Sequence, residues 1–217
     1  MKLAELIAGM ETFAVRGVED VLVESIAADS RMVQKGSLFV AIPGLKADGA
    51  EFIETAVRKG AVAIITEKRD LQSSVTIVEV PNARAALALA AARFYRHPAD
   101  RLSLIGVTGT SGKTTTTKMI ESVLDQTGEP AGLIGTIEYR AGGIREIADR
   151  TTPDAIVLQQ WLARMVDERV RYAVMEVSSH ALALKRTHGV RFAAGVFTNL
   201  SRDHFDFHTD FEDYYAA

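Results

Sequence analysis

One run of ten residues constrains this chain more than any other: Gly106-Val107-Thr108-Gly109-Thr110-Ser111-Gly112-Lys113-Thr114-Thr115. An apolar stretch precedes it and a helix-forming stretch follows it. Strand, glycine-rich loop and helix in that order belong to a parallel α/β sheet. Glycines let a backbone approach an anion closely and adopt positive φ. The loop amides and the helix N-terminus then face phosphate oxygens. Lys113 supplies a point charge for β- and γ-phosphates, and Thr114 a hydroxyl for Mg²⁺. The spacing departs from G-x-x-x-x-G-K-T, because Val107 holds the first glycine position and Gly106 lies one residue early. The loop reads T-G-T-x-G-K-T-T instead. An ordinary glycine-rich turn before a helix is the competing reading. The strand–loop–helix setting favours nucleotide binding.

Around this loop the chain reads as two α/β parts, residues 1–99 and 100–217. In the first, residues 37–42 form an apolar strand closed by Pro43-Gly44. Residues 51–59 have helical spacing, with Phe52, Ile53, Ala56 and Val57 on one face. Residues 61–66 and 75–80 are buried-type strands, and Asn82 caps an Ala-rich helix over 83–96. His97-Pro98-Ala99-Asp100 breaks that helix and marks the boundary. In the second part, a strand over 102–107 leads into the loop and a helix over 113–126. Residues 131–139 and 143–147 suggest a hairpin around Ala141-Gly142. A helix over 154–168 turns Ile156, Val157, Leu158, Leu162 and Met165 inward. Strands over 172–177 and 192–197 follow. The expected fold is a small N-terminal α/β domain followed by a phosphate-loop, mostly parallel-sheet domain.

Composition matters here for what it excludes. Cysteine is absent, so no disulfide framework, thiolate zinc site or cysteine nucleophile is available. A net charge of -3 gives no support for a nucleic-acid binder. Any anion must be held locally, by backbone amides or a few placed cations. Glu5 interrupts the apolar N-terminal run, which therefore lacks the form of a signal peptide. No stretch of about 18 or more apolar residues is present, so no membrane insertion is expected. A soluble, cytoplasmic protein is the expectation, with the monomer as default.

Two further polar clusters follow apolar strands. Met175-Glu176-Val177-Ser178-Ser179-His180 ends one, and the segment from Thr198 to His208 ends the next. Ligands of open parallel sheets bind outside the carboxyl ends of strands, so both clusters should converge on the phosphate loop. A carboxylate such as Glu176 suits Mg²⁺, which prefers hard oxygen ligands. His204 is a softer ligand. Taken alone, Glu176 reads first as a solvated strand end, and His204 and His208 read equally as turn or capping groups. Asp203 and Asp206 read as helix caps or solvated charges. Thr151-Thr152-Pro153-Asp154 alone makes a helix start, with Thr152 as N-cap and Pro153 at N1.

Taken together, these residues resemble the Mur ligases, ATP-dependent amide-forming enzymes of peptidoglycan synthesis. The motifs are Asp29-Ser30-Arg31, Leu38-Phe39-Val40-Ala41, Lys46-Ala47-Asp48-Gly49, Thr108 to Thr115, Thr151-Thr152-Pro153, Met175 to Leu182, and Thr198 to His208. They are most similar to the family's MurE branch, the UDP-N-acetylmuramoyl-tripeptide synthetases. The resemblance implies that Thr110, Ser111, Gly112, Lys113, Thr114, Thr115 and Thr116 hold ATP. It implies Thr114, Glu176 and His204 at Mg²⁺, with Lys113, Glu176 and His204 serving catalysis. Ser30 would contact the UDP part of the substrate, with the Leu45-Lys46-Ala47 loop nearby. Thr151, Thr152, Ser178 and Arg186 would hold the muramoyl dipeptide.

The resemblance further implies that UDP-N-acetylmuramoyl-L-alanyl-D-glutamate is activated as an acyl phosphate and joined to a diamino acid. meso-Diaminopimelate is the favoured amine, with L-lysine the alternative. Leu184 stands where some relatives have glutamine, and Thr209 where a glycine is frequent. In the family a Tyr-x-x-Ala-Lys pattern continues past the point where this chain reads Tyr214-Tyr215-Ala216-Ala217. The central domain is therefore expected to be incomplete, the amino-acid-binding C-terminal domain to be missing, and these 217 residues to be inactive in ligation. Two other readings compete. One is a non-catalytic module binding the UDP-sugar peptide and nucleotide. The other is an unrelated phosphate-loop switch or transporter ATPase, which leaves the Asp-Ser-Arg and Ser-Ser-His-Ala-Leu segments unexplained.

Overall fold

The computed structural model describes residues 1–44 and 47–217. The chain divides into two compact units, Met1–Phe94 and Tyr95–Ala217.

The first unit runs α1 (Leu3–Ile7), β1 (Ala14–Arg16), β2 (Ser25–Ala27) and β3 (Ser37–Ala41). A 3-10 turn, Gly49–Phe52, leads into α2 (Ile53–Arg58), then β4 (Ala61–Thr66), β5 (Thr76–Glu79) and α3 (Ala83–Phe94). The sheet order is β1-β5-β4-β3-β2. All neighbours are parallel except β1 on β5. Every residue of β3 is buried, as expected of an inner parallel strand covered on both faces. Phe39, Ile64, Ile77 and Ile53 form one core around it. Phe52, expected on the buried helix face, belongs to the 3-10 turn and is 40% exposed. Asn82 caps α3 as expected, accepting from the Ala85 amide at 2.8 Å. That helix stops at Phe94 rather than near residue 96, because Arg96 and His97 both take left-handed φ.

The second unit runs β6 (Ser103–Thr108), α4 (Lys113–Gln126), β7 (Gly132–Ile134), β8 (Glu138–Ala141) and β9 (Ile144–Ile147). It continues with α5 (Ala155–Asp167), β10 (Tyr172–Glu176), α6 (Ser179–Ala183), β11 (Ala194–Phe197) and α7 (Phe211–Ala216). The sheet order is β11-β6-β10-β7-β8-β9. The first four strands are parallel and the last two antiparallel. The segment 131–139, expected as one strand, is two strands joined by a turn. Gly135 lies in that turn, where a Cβ would come within 2.5 Å of a Glu176 carboxylate oxygen.

Helix α5 begins two residues later than a Thr152 cap would give. Asp154 is its N-cap, accepting from the Ile156 and Val157 amides at 3.1 Å each. That start sets the phase: Leu158, Trp161, Leu162 and Met165 enter the core against Leu104, Tyr139 and Met175, while Ile156 is only half-buried. Register then positions the chemistry. Glu176 pairs with Val107 and Phe197 with Thr108, so both neighbouring strands end beside the start of the glycine loop. No helix among the described residues is long and apolar enough to cross a membrane.

Candidate active site

A cleft of about 620 Å³ opens at these strand ends in the second unit. Its floor is the glycine loop. Gly109 and Gly112 take φ of 130° and 82°, values that L side chains rarely adopt. The segment after β11 clamps the loop from one side. Thr198 Oγ1 donates to the Ser111 carbonyl at 2.7 Å, and Asn199 Nδ2 to the same oxygen at 3.0 Å. Asn199 also accepts from the Thr110 and Ser111 amides. This leaves the first-turn amides of α4, which have no intrahelical acceptor, to face an anion. Lys113 Nζ lies over the loop, 2.6 Å from the Gly109 carbonyl and 2.9 Å from that of Thr110. Burial lowers the pKa of this amine, while Glu176 and Asp203 oppose the shift.

Glu176 is 2% exposed and accepts three hydrogen bonds. Thr114 Oγ1 donates to Oε2 at 2.8 Å, Thr136 Oγ1 to Oε2 at 3.0 Å, and the Thr136 amide to Oε1 at 2.9 Å. A buried carboxylate fixed in this way is oriented before any ligand arrives. The pair Thr114–Glu176 is an all-oxygen donor set facing the cleft. Among the described residues no three His, Asp or Glu side chains gather to hold a metal by themselves. A hydroxyl and a carboxylate suit Mg²⁺, which keeps waters and takes phosphate oxygens for its remaining positions.

The same cleft is lined by Thr151, Thr152, Ser178 and Arg186. Thr152 is 1% exposed; its hydroxyl donates to the Glu176 carbonyl at 2.8 Å and accepts from the Ser178 amide at 3.0 Å. Its carbonyl accepts from Arg186 Nη1 at 2.7 Å. Thr152 thus braces the end of β10 and sets the position of Arg186. Ser178 caps α6 through its hydroxyl, which accepts from the Ala181 amide at 3.3 Å. His204 has a left-handed φ of 56° and packs edge-on against His180, with 4.8 Å between ring centres. His180 also stacks on Phe207 at 4.1 Å. Burial lowers its pKa, and the neighbouring His204 and His208 add to the effect.

Of the residues expected at the site, Thr110, Gly112, Lys113, Thr114, Thr115, Thr151, Thr152, Glu176, Ser178, Arg186 and His204 line this one cleft. Ser111 is held to Asn199 and Thr116 lies further along α4; neither lines it. Ser30 belongs to the first unit, in a separate hollow of about 460 Å³ beside Asp29, Arg31, Phe39 and Ala47. Leu45 and Lys46 lie outside the described residues. Four lining residues had no assigned role from the sequence: Thr136, Arg150, His180 and Asp203. Thr136 gave no signal, because it sits inside an apolar run. Arg150 is held by Tyr139, whose hydroxyl donates to its carbonyl and accepts from its amide at 3.2 Å.

Comparison with known proteins agrees with this geometry. The Mur ligase middle domain matches residues 107–217, and the Mur ligase family catalytic domain matches residues 22–95. The UDP-N-acetylmuramoyl-L-alanyl-D-glutamate--2,6-diaminopimelate ligase of Clostridium tetani is 45% identical over 221 residues, covering 100% of this chain and 46% of its own length. A solved structure of a ligase of the same name superposes with a TM-score of 0.78 at 26% identity, covering 99% of this chain and 43% of that one. The MurF ligase of Thermotoga maritima, solved in complex with ADP, gives a TM-score of 0.57 at 25% identity over 92% of this chain and 43% of its own. The chain spans about half the length of the curated relatives it matches. With more than half its residues matching the middle domain and a nucleotide-type loop facing a fixed carboxylate, the chain belongs to the Mur ligase family.

Proposed function

We propose that this chain forms the nucleotide- and acyl-substrate-binding part of a cytoplasmic, ATP-dependent amide ligase. The reaction joins meso-diaminopimelate to the D-glutamate of UDP-N-acetylmuramoyl-L-alanyl-D-glutamate. The names of the similar ligases support this substrate pair over the L-lysine alternative. The observation that carries the reading is one cleft lined together by Lys113, Thr114, Glu176, Thr151, Ser178 and Arg186.

A carboxylate is a poor electrophile, so amide formation needs prior activation. A carboxylate oxygen of the D-glutamate side chain attacks the γ-phosphorus of ATP, and ADP leaves. The amine of the diamino acid then attacks the acyl carbon, loses a proton and expels inorganic phosphate. Lys113 and the first-turn amides of α4 hold the phosphates and offset the charge that develops on the transferring group. Arg186 and Ser178 orient the acyl peptide. Thr114 and Glu176, with His204 as a further candidate, would hold Mg²⁺, which would supply charge neutralisation at the phosphates.

Calorimetric titration of the chain with ATP and ADP in the presence of Mg²⁺ tests this. Binding should be measurable and should be lost in Lys113→Ala and Thr114→Ala. Nucleotide affinity unchanged in both variants would refute the reading.

A further inference from the structure

Three cationic side chains line the cleft, Lys113, Arg150 and Arg186, and they are not equally committed. Lys113 Nζ donates to the Gly109 and Thr110 carbonyls, which takes two of its three protons. Arg186 Nη1 donates to the Thr152 carbonyl at 2.7 Å. The Arg150 guanidinium makes no hydrogen bond among the described residues. Its ion pair with Asp149, at 3.6 Å between two exposed side chains, is too long to be one. The Arg150 backbone, by contrast, is held at both of its polar groups. The buried Tyr139 phenol donates to its carbonyl and accepts from its amide at 3.2 Å. Two residues on, Thr152 is bonded to the end of β10. A fixed backbone thus presents a planar fork of donors, unspent within the chain, at a cleft.

We infer that Arg150 binds the α-carboxylate of the substrate's D-glutamate and so selects which of its two carboxylates is activated. The inference rests on the ligase reading above and refines it. D-Glutamate brings two carboxylates to the cleft, and only the side-chain one reacts. The reacting carboxylate must keep a lone pair for phosphorus. A guanidinium paired with both its oxygens would hold those lone pairs and blunt their nucleophilicity. An unspent fork therefore belongs on the carboxylate that stays unchanged. The phosphates already have Lys113 and the first-turn amides of α4. With the α-carboxylate tied to Arg150, the side-chain carboxylate is the one left to face the nucleotide.

Calorimetric titration of the 217-residue chain tests this with UDP-N-acetylmuramoyl-L-alanyl-D-glutamate and with its analogue carrying an amide in place of the α-carboxylate. Wild type should prefer the acid by about 10- to 100-fold, the range for hydrogen bonds to a charged group. Arg150→Met keeps the aliphatic stem and should bind acid and amide equally. Arg150→Lys restores the charge without the fork and should regain only part of the preference. Arg150 is 53% exposed, so urea midpoints of both variants should match wild type. Equal affinity of wild type for acid and amide, or a preference intact in Arg150→Met, would overturn the inference while leaving the ligase reading in place. So would an Arg150→Met chain whose affinity for a non-hydrolysable ATP analogue falls as far as its affinity for the peptide, because the guanidinium would then serve the phosphates. If wild type binds neither the peptide nor the ATP analogue, the ligase reading fails and this inference fails with it.

Discussion

Replacing Thr152 by valine should destabilise the second unit more than any other single-hydroxyl deletion in the cleft. The side chain is 1% exposed, and valine is nearly its isostere. The change removes a donor to the Glu176 carbonyl at 2.8 Å and an acceptor for the Ser178 amide at 3.0 Å. Each lost bond costs about 1 kcal/mol net, and leaving a buried partner unsatisfied raises this toward about 1–3 kcal/mol. The total is about 2–4 kcal/mol. Trp161, the sole tryptophan, packs in the core of the second unit, so its fluorescence follows the unfolding of that unit. With a urea dependence of about 2 kcal/mol per molar, the midpoint should fall by about 1–2 M. Thr152→Ser retains the hydroxyl and should lose only about 1 kcal/mol for the missing methyl. A Thr152→Val midpoint equal to wild type would show that the hydroxyl does not brace the strand end.

Other perturbations probe the same framework. Asp154→Ala removes the N-cap of α5 and should cost about 1 kcal/mol by the same fluorescence assay, whereas Thr152 contributes nothing as a cap. Gly135→Ala would place a Cβ 2.5 Å from the Glu176 carboxylate; circular dichroism should be unchanged while Mg²⁺-dependent ADP binding falls sharply. His180 gives a pH signature. Burial, then the charges of His204 and His208, lower its pKa below 6.5. Above pH 6.5 both folded and unfolded states hold it neutral, and its contribution to stability is complete. As pH falls, the unfolded chain takes a proton that the folded one resists, so stability is lost through the folded pKa. Urea midpoints at pH 7.5 and 5.5 should show this loss, and His180→Phe should reduce it.

What the sequence made legible was periodicity and punctuation. Residues 61–66 and 113–126 were read with the bounds the structure gives, because an apolar run and a strong helix start need no distant partner. Strand β1 was invisible: three residues, Ala14–Arg16, form a strand only by pairing with Glu79, Val78 and Ile77 far along the chain. The break at Gly135 was missed for a related reason. The run from Ala131 to Tyr139 is apolar enough for one strand, and the feature that sets residue 135 apart, the Glu176 carboxylate filling the space a side chain would need, comes from some forty residues later. At the site, Lys113, Glu176 and Arg186 were expected and line the cleft, whereas Arg150 and Thr136, a threonine inside an apolar run, had no role assigned.

The misread cap of α5 has the same origin as the missed Thr136. Thr152-Pro153 looks like a helix start because local rules place Ser, Thr or Asp before the first helical turn. Two residues satisfy that rule here, Thr152 and Asp154, and local energetics barely separates them. The strand end of β10 decides between them: it needs a buried hydroxyl to take the Ser178 amide and give a proton to the Glu176 carbonyl. A carboxylate could do only the first. Asp154, two residues on, is free to cap two amides, which a carboxylate does well. A Thr152→Asp, Asp154→Thr exchange preserves composition and both local capping options. It should nonetheless destabilise the second unit about as much as Thr152→Val, since an acceptor-only group would then meet the Glu176 carbonyl. Urea midpoints equal to wild type for the exchange variant would mean that capping alone, and not the proton balance of the strand end, assigns these two positions.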